Sequence, residues 1–103
     1  MTDITVVKLP EKNRYEALLD GNLAGYADYM ETDELIIFTH TEVEPEYEGR
    51  GVGGALARFS LDEVKATGTK KVMPLGPFYN GYMAKHAEYQ PLAFNAKPSN
   101  VTD

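Results

Sequence analysis

Tyr47-Glu48-Gly49-Arg50-Gly51-Val52-Gly53-Gly54-Ala55-Leu56 is the stretch whose reading decides the fold. It follows the most apolar run of the chain, residues 35–38, and opens the clearest helical pattern in the sequence. Four glycines within six residues let a backbone approach a ligand closely, because no Cβ stands in the way. The amides of Arg50, Gly51, Val52, Gly53 and Gly54 are expected to face outward at the helix start. There the unpaired N–H groups and the positive end of the helix dipole favour an anion, most naturally a phosphate. The alternative is a glycine-rich turn that only starts a helix.

Two familiar phosphate patterns do not fit. Gly49-x-Gly51-x-x-Gly54 matches the spacing of a dinucleotide loop, but that loop needs a second strand ending in an acidic residue. The next strand candidate, residues 70–73, runs instead into Pro74, Leu75 and Gly76. A nucleotide-triphosphate loop needs Lys followed by Ser or Thr after the last glycine, and Ala55-Leu56 stands there.

Glu48-x-x-Gly51-x-Gly53 resembles the acyl-CoA pyrophosphate loop of the GCN5-related N-acetyltransferases, usually written Q/R-x-x-G-x-G/A, with Glu48 where Gln or Arg is usual. His40-Thr41-Glu42-Val43 before the loop is similar to the H-T-x-V segment of a small single-domain branch of that superfamily. Pro77, Phe78, Tyr82, His86, Glu88 and Tyr89 are similar to its C-P-F-x-x-x-Y-x-x-x-H-P-E-Y segment. The similarity runs over residues 14–89. It implies an α+β fold: a minimal acyl-CoA N-acyltransferase domain with a mostly antiparallel mixed sheet and two helices. It also implies that acetyl-CoA is the acyl donor, with its pantetheine arm between splayed central and final strands, near Thr41 and Val43. The pyrophosphate would then sit on Arg50, Gly51, Val52, Gly53 and Gly54.

Bulk properties agree with one domain. A chain of 103 residues buries roughly 60–65% of its unfolded surface. No cysteine is present, which excludes disulfides, thiolate metal sites and a cysteine nucleophile, and no metal is expected. A formal net charge of −6 argues against nucleic acid, and the acidic residues around positions 31–34 and 42–48 favour a cationic partner such as a small amine or a lysine-like group. No run approaches the length of a membrane span, and Met1-Thr2-Asp3-Ile4 lacks the features of a signal peptide, so a cytoplasmic location is expected. The sequence does not specify an oligomeric state.

Along the chain, residues 4–9 and 14–19 read as strands, with Tyr15, Ala17 and Leu19 on one face. Asp20-Gly21 is a two-residue hairpin signal, because both positions of a type I′ turn need positive φ. A strand over 23–30 contains Gly25, which marks a bulge or a close backbone approach. In the central strand, 34–43, Ile37, Thr39, Thr41 and Val43 are expected on one face, with Ile36, Phe38, His40 and Glu42 on the other. The helix is expected over 51–66 with Gly68 beyond it; Val52, Ala55, Leu56 and Phe59 form one apolar stripe and Ala57, Leu61 and Val64 a second. Glu63 falls on the first stripe without an evident reason. A last strand over 70–73 and a short helix over 78–86 follow, and residues 90–103 read as a loosely packed tail.

Acetyl transfer to an amine needs a base, a polarised thioester carbonyl and a proton for the leaving thiolate. His40 matches the branch's histidine on the strand that would carry the thioester, and imidazole titrates near neutrality. Glu42 is the second candidate for the base, or a holder of the substrate cation. Tyr82 is the candidate acid, and Tyr79 and Asn80 are candidates to touch the cofactor. His86 is expected to tie the last helix to the tail. The branch commonly has cysteine where this chain has Gly76, so an acetyl-cysteine route is closed here. Direct attack by the amine is the expected route; an acyl-CoA-binding or interaction module that has lost the chemistry is the alternative.

Overall fold

The Asp20-Gly21 hairpin sets the register of the sheet. Asp20 and Gly21 have φ of 53° and 80°, and the turn joins β2 (Arg14–Leu19) to β3 (Asn22–Glu31). This computed structural model describes residues 3–96; the Asn100 segment of the tail lies outside the described residues. β1 (Ile4–Leu9) pairs antiparallel with β2, β3 pairs antiparallel with β4 (Leu35–Val43), and β5 (Lys71–Pro74) lies parallel to β4. The order is β1-β2-β3-β4-β5, a mixed sheet with one parallel pair at its edge. With helices α1 (Val52–Thr67) and α2 (Pro77–Lys85), the expected α+β class and fold are found.

One sheet face carries the core. Tyr15, Ala17, Ala27, Tyr29, Ile36 and Phe38 are buried there against α1 and α2. Alternation in β2 is as expected. In β4 it breaks. Phe38 pairs with Tyr29 and His40 with Asp28, so Thr39 is an extra residue on β4, a β-bulge. One inserted residue reverses the facing of everything after it. Thr41 and Val43 therefore fall on the core side with Ile36 and Phe38, and Val43 packs against the core. His40 and Glu42 go to the opposite face, half exposed. The expected sharing of a face by Ile36, Phe38, His40 and Glu42 is thus corrected by the bulge.

Gly25 sits opposite Val43, and a Cβ there would lie 2.7 Å from the Glu42 carbonyl oxygen and 2.9 Å from Val52. It is a close approach, as its position in a strand implied. It lets β3 lie directly against the start of α1.

α1 ends at Gly68, φ 70°, whose N–H donates to Val64 O. Its buried side is Val52, Gly53, Leu56, Ala57, Ser60, Leu61 and Val64, which takes in the whole expected second stripe and, from the first, Val52 and Leu56. Phe59 is 41% exposed and only edges onto Tyr15. The small residues Gly53, Ala57 and Ser60 are buried because α2 comes close there: a Cβ at Gly53 would meet the Phe78 ring at 2.7 Å. Glu63 gains a reason as well. It accepts a 2.6 Å hydrogen bond from the buried Tyr15 hydroxyl and pairs with Lys8 at 3.5 Å. Beyond α2, the start of the segment expected as a loose tail touches the sheet, with Ala93 bridged to Val72 and Phe94 N–H bonded to Val72 O.

Burial raises the Tyr15, Tyr29, Tyr79 and Tyr89 phenols above their ordinary value, and for Tyr15 and Tyr89 the neighbouring Glu63 and Asp62 carboxylates add to it. Unfolded tyrosine ionises near pH ~10, so the folded chain holds these protons more tightly than the unfolded chain does. The stability they supply is complete below about pH 10 and is lost as pH rises above it. The expected outcome is a urea midpoint that falls steadily above pH ~10, with tyrosinate absorbance rising together with loss of far-UV signal. Ionisation of all four phenols in a chain that keeps its helical signal would contradict this packing.

Candidate active site

β4 and β5 run together only from Leu35/Lys71 to Phe38/Pro74. There β5 ends, while β4 continues to Val43. The point of parting is closed by the Gly76 N–H, which donates to Phe38 O at 3.0 Å, and by the Tyr79 ring, stacked on Phe38 at 4.0 Å and 9°. Beyond it, Glu44 N–H bonds back to Ala24 O on the β3 side. By strand alternation, the backbone groups of Val43 and Thr41 point the other way, into the gap. No strand pairs with them there among the described residues. The gap is an opening with free donors and acceptors on one wall.

The glycine loop lies at the far end of that wall. Gly49 and Gly51 have φ of 81° and 84°. Arg50 N–H turns inward to Tyr47 O at 3.3 Å, so it leaves the outward-facing set that the sequence suggested. The helix ladder begins with Ala55 N–H to Gly51 O at 2.9 Å, and no side chain caps the helix. Val52, Gly53 and Gly54 N–H therefore precede the first ladder bond. The Val52 side chain is buried beneath the loop, whereas Gly51 and Gly54 have open space around the missing Cβ.

His40 Nε2 and Glu42 Oε1 are 2.9 Å apart on the sheet face away from the helices. A neutral His40 that donates here through Nε2 keeps Nδ1 as its proton acceptor. From β3, Tyr26 stands beside His40, with ring centroids 6.0 Å apart. Arg14 lies 3.8 Å over the Tyr26 ring and binds Asp28 at 2.7 Å. The Asp28 carboxylate raises the Arg14 guanidinium further above its ordinary value. Sequence reasoning missed Tyr26, Asp28 and Arg14 as neighbours of His40. The alternation in β2 and β3 marks them as one face, but only the pairing register across three strands brings them to His40.

Tyr79 is corrected. Its side chain is fully buried, with its hydroxyl 2.8 Å from Ser60 Oγ and 3.2 Å from Leu56 O. Burial raises its pKa, and it is a core residue rather than a cofactor contact. Asn80 is exposed in the first turn of α2, its backbone N–H donating to Gly76 O at 3.1 Å. Tyr82 shares none of the contacts of His40 and Glu42. Its ring stacks on His86 at 3.9 Å, and its hydroxyl faces Arg58 of α1. His86 Nδ1–H donates to Tyr82 O at 2.8 Å, closing the end of α2.

Gly76 has a packing reason of its own. Its φ of −73° is open to any residue, but a Cβ would lie 3.2 Å from Thr39 O at the bulge. Any side chain there presses on β4 where it parts from β5.

These glycines make different demands, which orders their variants. Gly51→Ala is expected to cost about 1 kcal/mol for its left-handed backbone alone. Gly25→Ala should cost more, since its Cβ meets backbone that cannot give. Urea unfolding of the two variants checks this; a Gly25→Ala protein as stable as Gly51→Ala would contradict the close approach.

Comparison with known proteins follows the same lines. The family model described as GCN5-related N-acetyl-transferase matches residues 14–92. No curated protein matches the chain in sequence. Among solved structures, a GCN5-like protein from Staphylococcus aureus superposes with a TM-score of 0.69, 19% identity and full coverage of both chains. The ribosomal-protein-S18-alanine N-acetyltransferase of Escherichia coli superposes with a TM-score of 0.57 and 15% identity over 70% of this chain; the match spans 64% of the length of that enzyme. N-acetylglutamate synthase from Neisseria gonorrhoeae, in complex with coenzyme A and N-acetyl-glutamate, superposes with a TM-score of 0.58 and 19% identity, over 80% of this chain and 21% of that one. At these identities the structures speak for the fold, while the family match covers most of the chain. The chain belongs to the GCN5-related N-acetyltransferase family.

Proposed function

We propose that the protein is an acetyl-CoA-dependent N-acetyltransferase that passes the acetyl group directly to an amine. The observation that carries this reading is the gap between β4 and β5, with free backbone on one wall and the uncapped glycine loop at its end. A pantetheine arm is a chain of amides, which suits a strand edge with unpaired backbone groups at Thr41 and Val43. A pyrophosphate suits the Gly51, Val52, Gly53 and Gly54 amides at a helix N-terminus. Acetyl-CoA supplies an activated carbonyl and a thiolate leaving group.

The remaining chemistry falls to the open face of the sheet. The acceptor enters as an ammonium and must lose a proton before its nitrogen can attack the carbonyl carbon. The His40–Glu42 pair takes that proton, directly or through a water. The new C–N bond forms as the C–S bond breaks, and the thiolate leaves with a proton from solvent or from the amine. Tyr82, the residue expected to give that proton, has its hydroxyl toward Arg58, and in this reading it serves the cofactor's side instead. Glu16, Asp28 and Glu42 outnumber Arg14 on the open face, which favours a cationic acceptor such as a small amine or a lysine side chain. No helix among the described residues is long and apolar enough to cross a membrane, and a cytoplasmic location belongs to this reading.

Release of free thiol from acetyl-CoA over a panel of amines tests it. His40→Ala and Glu42→Gln should each lower kcat by about a hundred- to ten-thousand-fold while leaving acetyl-CoA affinity unchanged. Full activity in both variants would remove the pair from the mechanism. Binding of acetyl-CoA with no turnover on any amine would favour the non-catalytic module instead.

A further inference from the structure

A groove of about 590 Å³ runs along the outer side of α1 from the glycine loop, outside the gap between β4 and β5. Gly51, Gly54, Ala55, Arg58 and Asp62 recur along it at helical spacing, and Tyr82 and His86 of α2 form one wall. Its floor is apolar, from Ile4, Val6 and Phe59.

The charges in the groove are unequally engaged. Asp62 is held by the Tyr89 hydroxyl at 2.6 Å. His86 spends its Nδ1–H on a carbonyl, which leaves Nε2 a bare acceptor in the neutral ring. Among the described residues, Arg58 is the one Arg or Lys that lines the groove. The neighbouring Tyr82 hydroxyl, first as a hydrogen-bond acceptor and then through its charge, raises the Arg58 pKa further. Helix side chains tilt toward the N-terminus. The Arg58 guanidinium, about two turns beyond Gly51, is therefore carried back toward the loop.

We infer that Arg58 binds the 3′-phosphate of the CoA adenosine, and that this residue makes the protein select CoA thioesters over their 3′-dephospho counterparts. The inference rests on the acyl-CoA reading above. With the pyrophosphate on the glycine loop, the adjoining ribose falls along the groove, and its 3′-phosphate is the next anion in the molecule. A guanidinium offers a phosphate two parallel donors, and among the described residues no other Arg or Lys lines the groove. Tyr82, half-buried and stacked on the His86 ring, lines the same groove beside Arg58.

Equilibrium titration of CoA and 3′-dephospho-CoA into the intact protein and its Arg58→Gln, Arg50→Gln and Lys65→Gln variants tests this. Arg58 is exposed, so the substitution leaves the core untouched. Wild type should bind CoA about tenfold or more tightly than dephospho-CoA, the worth of one charge-assisted contact. Arg58→Gln should bring that ratio near one by weakening CoA alone, with dephospho-CoA affinity unchanged. Arg50→Gln and Lys65→Gln should keep the wild-type ratio. Equal binding of both ligands by wild type overturns the inference while leaving the acyl-CoA reading standing. A ratio that survives in Arg58→Gln, or collapses in Arg50→Gln, overturns it as well. Binding of neither ligand by wild type defeats the acyl-CoA reading, and this inference with it.

Discussion

Two strands that run parallel for four residues and then part must be locked where they part, or the sheet would zip further or come undone. In this protein the lock is Phe38. Its carbonyl accepts the Gly76 N–H, and its ring lies flat under Tyr79. Tyr79 is in turn held by Ser60 and Leu56 of α1, so both helices are tied to the point of parting. The bulge at Thr39 comes immediately after it. It turns His40 and Glu42 away from the core and presents them on the open face beside the gap. A buried aromatic stack, one backbone hydrogen bond and one extra residue thus determine where a ligand could lie and which side chains could meet it.

The second set of constraints comes from tyrosines used as struts. Tyr15 reaches from β2 to Glu63 near the end of α1, and Tyr89 reaches from the last turn to Asp62 of the same helix. Each buries an aromatic ring while its hydroxyl finds a carboxylate at the edge of the core, which suits a small domain with little interior to spare. Close glycine contacts serve the same economy of space. Gly25 lets β3 reach Val52, Gly53 admits the Phe78 ring, and Gly76 lies against Thr39 O. The glycines at 21, 49, 51 and 68 are demanded by a left-handed backbone rather than by a close neighbour.

Much of the fold was legible because its signals are local. Asp20-Gly21 specifies a turn, the Tyr15, Ala17, Leu19 alternation specifies a strand, and Gly51 and Gly68 bound a helix. The bulge was not legible, since an inserted residue is defined by the partner strand. Its one trace is that Val43 is out of phase with Ile36 and Phe38 although all three pack on the core. The depth of Tyr79 was hidden for a similar reason: a nine-residue helix with aromatics on several sides does not reveal which of them faces inward. Small residues on α1 looked neutral until α2 was seen against them. Glu63 made no sense on its stripe because its partner lies 48 residues away. Of the candidate site, the loop and His40–Glu42 could be found from the sequence, whereas Arg58 and the Arg14–Asp28–Tyr26 group depend on tertiary register.

The central claim is that the gap between β4 and β5, ending at the glycine loop, is where acetyl-CoA lies. Amide NMR of the labelled protein titrated with acetyl-CoA addresses it residue by residue, with NADH as the control dinucleotide. The account predicts the largest shifts at Thr41, Val43, Gly51, Val52, Gly53 and Gly54, and none of comparable size with NADH. Shifts that leave these amides unmoved, or that gather around Leu75 and Phe94 on the other side of β5, would contradict it.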